Sequence, residues 1–170
     1  MQHVETKINK NLLLNFFLIF SKFEYALKAG GFHKRRKKLN SHDGLPIYDA
    51  EPDWNRFDVS MRSSFQVDRN DELRRACEYI LDTPPNKQVI VNNSVAWETP
   101  IREEHLSDIE FILKMVRCIR NNLFHGGKYS NEVHEDTERT ELLLNSSLII
   151  LKECLALSPD LKRIFDEATI

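Results

Sequence analysis

The sequence predicts a mainly α fold of about five helices with one small inserted β-hairpin. Three observations predict it. Ile109, Ile112, Val116, Ile119 and Leu123 recur at helical spacing, with a second stripe from Phe111, Met115 and Cys118. Leu144, Leu148, Leu151 and Leu155 form another such stripe, with Leu143, Ser147, Ile150 and Cys154 beside it. Between residues 88 and 99 the helical rhythm breaks, and Val89, Ile90, Val91 and then Val95, Ala96, Trp97 flank Asn92-Asn93-Ser94, the signature of a short hairpin with an Asn-rich turn. At 170 residues, the chain is one domain, residues 1–170, long enough for a proper core. Its 41% hydrophobic and 29% charged residues exclude a disordered or membrane-embedded chain. A net charge of -2 restricts any contact with nucleic acid to a local patch.

The elements follow in order. Residues 12–20 are an apolar run behind Lys7 and Lys10, and could be read as the apolar region of a signal peptide. The pattern continues through Phe23, Tyr25, Ala26 and Leu27 with charges interspersed, so a buried first helix over residues 11–29 is the better reading, stopped by Gly30-Gly31. The run is too short to span a bilayer, and no membrane contact is expected. His33-Lys34-Arg35-Arg36-Lys37-Lys38 is the one dense basic run. It reads by default as a solvated loop; the alternatives are phosphate contact with RNA and, third, a targeting signal. Residues 40–53 are loop-like, with Gly44, Pro46 and Pro52. Asp53 is placed to cap a helix carrying Trp54, Phe57, Met61 and Phe65, and residues 70–81 form another, ended by Pro84-Pro85. The segment of about 31–104 is thus an insertion between the first helix and the central one. Residues 136–157 form the last long helix, where small Ser146 and Ser147 permit close helix approach, and Ser158-Pro159 starts a short terminal helix ending near Ala168.

Cys77, Cys118 and Cys154 are odd in number and form no C-x-x-C pair, so they read as reduced core cysteines of a cytoplasmic protein. His3, His33, His42, His105 and His134 have no metal-ligand spacing; neither a zinc site nor a cofactor is expected.

The central helix begins at Ser107, with Glu110 at capping-box spacing, and only Glu110, Lys114, Arg117 and Asn121 make a polar stripe. It closes on Ile119-Arg120-Asn121-Asn122-Leu123-Phe124-His125-Gly126-Gly127-Lys128. Arg120 falls between Ile109, Leu113 and Val116 on the apolar face, where a guanidinium needs a partner. Glu24, on one face with Phe17, Phe20 and Leu27, is a candidate partner; otherwise it is solvated at the stripe's edge. His125 is about 140° further round an ideal helix. Spacing alone favours an arginine reaching the surface and a histidine near the helix C-terminal dipole.

The string from Arg120 to His125 resembles the R-x4-6-H motif of HEPN domains, with the polar residue that usually follows the arginine present as Asn121. R-N-N-L-F-H-G-G-K resembles a bacterial toxin or defence-type branch, as does the first helix, F-F-L-I-F-S-K-F-E-Y-A-L-K. The resemblance covers residues from about 12 to 157. It implies an antiparallel helical bundle, a homodimer, and a metal-independent endoribonuclease whose composite cleft takes Arg120 and His125 from both subunits, with Asn121 orienting one of them or contacting phosphate. Glu24, Asn122 and Lys128 are supporting candidates, and Lys34, Arg35, Arg36, Lys37 and Lys38 are candidate RNA contacts. An antitoxin or defence-system partner is implied for the role. Some HEPN toxins carry a tyrosine two residues after the histidine; here that position is Gly127, so modification of such a tyrosine has no direct support.

That chemistry is consistent with the residue types. The RNA 2′-hydroxyl can attack its own phosphodiester if a base, an acid and a stabiliser of phosphorane charge are present. Histidine serves either proton role near neutrality and arginine binds phosphate oxygens in a fork. The alternatives are a non-catalytic HEPN-like module that binds RNA or a nucleotide or only dimerises, and a helical interaction protein in which Arg120 is structural.

Overall fold

The structure, a computed structural model, describes residues 7–42, 45–124 and 137–169. Its first helix, α1 (Lys10–Ala29), starts where the Asn9 side chain accepts from the Asn11 and Leu12 amides. It ends at Gly30, whose N–H reaches the Ala26 carbonyl at 2.7 Å, and Gly31 at φ 90° turns the chain away. A Cβ on Gly30 would collide with Leu161, so glycine is also what lets the last helix approach here.

Residues 33–53 differ from the sequence reading. His33 to Arg36 are exposed, as the default reading of the basic run expects, but in place of loops the segment forms an antiparallel hairpin of β1 (His33–His42) and β2 (Leu45–Pro52), with Lys34 opposite Glu51, Arg35 opposite Ala50 and Lys38 opposite Tyr48. The strand is invisible to hydrophobic periodicity because its residues are charged. What supports it is cross-strand chemistry: Arg36 pairs with Glu51 at 2.7 Å, Lys34 pairs with Asp53 at 3.2 Å, and Arg35 lies over the Tyr48 ring.

The next helices follow the expected punctuation. Asp53 caps α2 (Trp54–Met61) through the Arg56 amide, and Asn70 caps α3 (Asp71–Asp82) through the Leu73 amide. The second hairpin pairs β3 (Lys87–Val91) with β4 (Ser94–Glu98), and Val91 faces Ser94 across a two-residue turn. Asn92 and Asn93 sit at φ 50° and 62°, the left-handed conformation that asparagine tolerates and such a turn requires. Then come α4 (Asp108–Phe124), α5 (Thr137–Ala156) and α6 (Pro159–Glu167). The described architecture is therefore mainly α, with six helices and two hairpins rather than about five and one.

The core lies between α5 and its neighbours α1, α3, α4 and α6, while α4 also touches α2 and β3. Leu144, Ser147, Ile150, Leu151 and Cys154 are fully buried on α5, as are Ile112, Leu113 and Val116 on α4 and Phe57 on α2. Ser147 hides its hydroxyl by donating to the Leu143 carbonyl one turn back. All three cysteines are free; Cys77 and Cys154 are buried and Cys118 half-buried. No single helix among the described residues is long and apolar enough to cross a membrane.

The start of α4 departs from a simple polar stripe in one respect: Glu110 is buried. Its Oε2 accepts from the Ser107 amide at 3.0 Å and hydroxyl at 2.6 Å, the reach-back half of a capping box. Its two oxygens also accept from Arg62 Nε and Nη2 at 2.7 and 2.6 Å. The Arg62 hydrogen bond is the main force holding its carboxyl down to about 2. Glu110→Gln keeps the shape and loses the charge; it should cost about 1–2 kcal/mol, the scale of a lost helix cap, measured by urea denaturation at neutral pH.

Candidate functional site

The end of α4 gathers the side chains of interest. Arg120 is not buried in the core; one-third of its side chain is exposed. Its guanidinium lies over the rings of Phe20 on α1 and Phe124 on α4, with centroids 5.7 and 5.6 Å away. Glu24 Oε2 stands 3.9 Å from its Nη2, so the candidate pairing across α1 and α4 is present, as a loose contact. Arg120 Nη1 also donates to Asn121 Oδ1 at 3.1 Å. This bond joins the two adjacent motif residues.

Behind this group stands a network with no signature in residue spacing. Trp54 Nε1 donates to Glu24 Oε1 at 3.1 Å. The same indole stacks on Phe20 and Phe23, each with centroids 5.5 Å away, and carries Arg117 at 5.0 Å from its ring centroid. Arg117 grips Asp58 with both arms, at 3.0 and 2.9 Å. Burial pushes the Asp58 carboxyl up to about 6, against the opposing pull of Arg117. Helix α2 thus braces both α4 arginines: Arg117 directly through Asp58 and Trp54, and Arg120 indirectly through Trp54 and Glu24. Trp54 and Asp58 lie one turn apart on α2, but nothing in their spacing names partners on α1 and α4.

The other candidates divide. Asn122 faces away from Arg120; its Nδ2 donates to the Asn86 carbonyl at 2.7 Å, a tie to the start of the second hairpin. His125 and Lys128 lie outside the described residues, as does the connection over residues 129–134. Lys34 and Arg36 are occupied by acidic partners, Arg35 is exposed, and the side chains of Lys37 and Lys38 lie outside the described set. Two of the five basic candidates therefore have their charge compensated within the hairpin. His33 bonds the Lys28 carbonyl and His105 approaches Glu103 at 3.6 Å. Among the described residues, no group of three or more His, Cys, Asp or Glu is placed to hold a metal.

Apolar surface adjoins Arg120. Phe17 packs on Phe124 with centroids 5.3 Å apart, and Leu14, Phe17 and Phe124 are all substantially exposed. Comparisons with family models, with curated proteins and with solved structures return no match.

Proposed function

We propose that the chain is a HEPN-like, metal-independent endoribonuclease acting as a homodimer in a toxin or antiviral-defence role. The observation that carries this reading is the setting of Arg120: a guanidinium near the end of the central helix, backed by a carboxylate and two rings, with a third of its side chain exposed. His125 of the R-x4-H string follows Phe124 directly. In this reading a histidine takes the 2′-hydroxyl proton and the alkoxide attacks phosphorus. The P–O bond to the 5′-oxygen breaks, and that oxygen leaves with a proton from the second subunit's histidine. Arg120 offsets the phosphorane's charge, and the products are a 2′,3′-cyclic phosphate and a 5′-hydroxyl. The exposed apolar residues beside Arg120 support two-fold pairing at this face.

A second reading has its own support. Arg120 already has a carboxylate, an amide and two rings as partners, which suits a structural arginine in a non-catalytic RNA-binding or dimerisation module. Cleavage of mixed-sequence RNA in EDTA decides between them. The nuclease reading expects cyclic-phosphate ends from the wild type and a loss on the order of 10²-fold or more in His125→Ala, whose fold and dimer persist. Equal cleavage by both proteins, or none by the wild type, overturns it.

A further inference from the structure

Two of the five basic candidates in the first hairpin are compensated by Glu51 and Asp53, and a second group of cations lies elsewhere on the molecule. A cavity of about 330 Å³ opens between α4 and β3. Lys87, Lys114 and Arg117 line it, together with the amides Gln88, Asn121 and Asn122; among the described residues no carboxylate does. The acids that pair with two of these cations, Glu103 with Lys114 at 2.7 Å and Asp58 with Arg117, are not part of the lining. Lys87 has no ion pair among the described residues, although Glu98 is its cross-strand neighbour. Pro100, Met115 and Cys118 supply an apolar floor.

We infer that this cavity is a nucleotide subsite that holds one unit of single-stranded RNA beside Arg120. The chemistry matches in three parts. Lysines at the rim suit a phosphate, and the exposed Lys114–Glu103 pair is cheap to exchange for one. The apolar floor suits the face of a base, and the amides of Gln88 and Asn121 suit its polar edge. Position matches as well: Asn121 lines the cavity, and its side-chain oxygen accepts from Arg120 at 3.1 Å, so the cavity and the guanidinium share a residue. The inference deepens the endoribonuclease reading and rests on it for the substrate class, but binding can be read without cleavage.

The chain carries its own reporter. Cys118 is in the cavity and half-buried, whereas Cys77 and Cys154 are buried and serve as internal controls. Nucleoside 5′-monophosphates are titrated into the full chain while Cys118 alkylation is followed by mass spectrometry. Protection is expected to be saturable, confined to Cys118, and weaker with inorganic phosphate alone. Lys87→Gln, on an exposed strand position, should weaken it about tenfold, the scale of one lost charge-assisted contact. The ratio of rates with and without nucleotide is the quantity compared, because removing the Lys87 charge also shifts the thiol's own reactivity. Absence of protection at millimolar nucleotide overturns the subsite, as does equal protection by inorganic phosphate or an unchanged ratio in Lys87→Gln. Protection in a protein that cleaves no RNA retains the subsite and removes the nuclease reading.

Discussion

Arg117→Ala is expected to lose about 3–5 kcal/mol of stability at pH 7.5, because it leaves the Asp58 carboxylate buried with no cation. The loss should shrink to about 1–2 kcal/mol at pH 5, the scale of the remaining hydrogen bonds and ring contact. The sign follows from linkage. Asp58 titrates at about 6 in the folded chain and at an ordinary 3.8 when unfolded. The folded state therefore holds this proton more tightly, and the Asp58 contribution to stability grows as pH falls from above 6 towards 4, by about 3 kcal/mol in all. At pH 5 the carboxyl is already neutral in the wild type, so the arginine has little charge left to compensate. Glu110 acts in the opposite sense. Its folded value of about 2 lies below the ordinary 4.5, so its contribution is present above pH 4.5 and is lost as pH falls towards 2. Urea denaturation of wild type and Arg117→Ala at the two pH values checks this. An equal loss at pH 5 and 7.5 would mean that Asp58 stays charged throughout.

Much of the fold was legible because local chemistry and global packing agree in the helices. Asn70, Asp53 and Ser158 mark helix starts, Gly30-Gly31 marks an end, and Asn92-Asn93 marks a turn where two residues take positive φ. The first hairpin was not legible, since His33 to Lys38 offers no apolar alternation and its ion pairs reach acids 15 and 19 residues away, Arg36 to Glu51 and Lys34 to Asp53. At the site, the Arg120–Glu24 contact could be anticipated from a charge on each apolar face, because an uncompensated charge there calls for a partner. Trp54 could not. Its hydrogen bond to Glu24 and its stack under Arg117 are products of how α2 meets α1 and α4, a tertiary fact with no signature in spacing. Glu110 shows the same limit in reverse: a charge in a polar stripe turned inward because Arg62, 48 residues away, could meet it.

On the proposed endoribonuclease reading, Glu24→Gln is expected to reduce RNA cleavage by on the order of 10²-fold, the scale of misplacing a catalytic group by about 1 Å, while changing stability little. The two effects separate because the pair is loose and partly exposed: at 3.9 Å, with a quarter of the Glu24 side chain and a third of that of Arg120 open to solvent, the contact contributes at most about 1 kcal/mol to folding. Its importance would then lie in aiming the guanidinium. Trp54→Phe keeps the aromatic stack and removes the indole N–H, freeing Glu24 Oε1 to rotate; a loss of about tenfold is expected, smaller because the carboxylate itself remains. Since Trp54 acts on Arg120 only through Glu24, the double variant should be no worse than Glu24→Gln alone, a non-additivity that two independent structural defects would not produce. Turnover and urea midpoints measured on the same four proteins distinguish the roles. If Arg120 is a structural arginine, the variants move the midpoints and leave turnover per folded molecule unchanged; if it is catalytic, they move turnover along the series and the midpoints hardly at all.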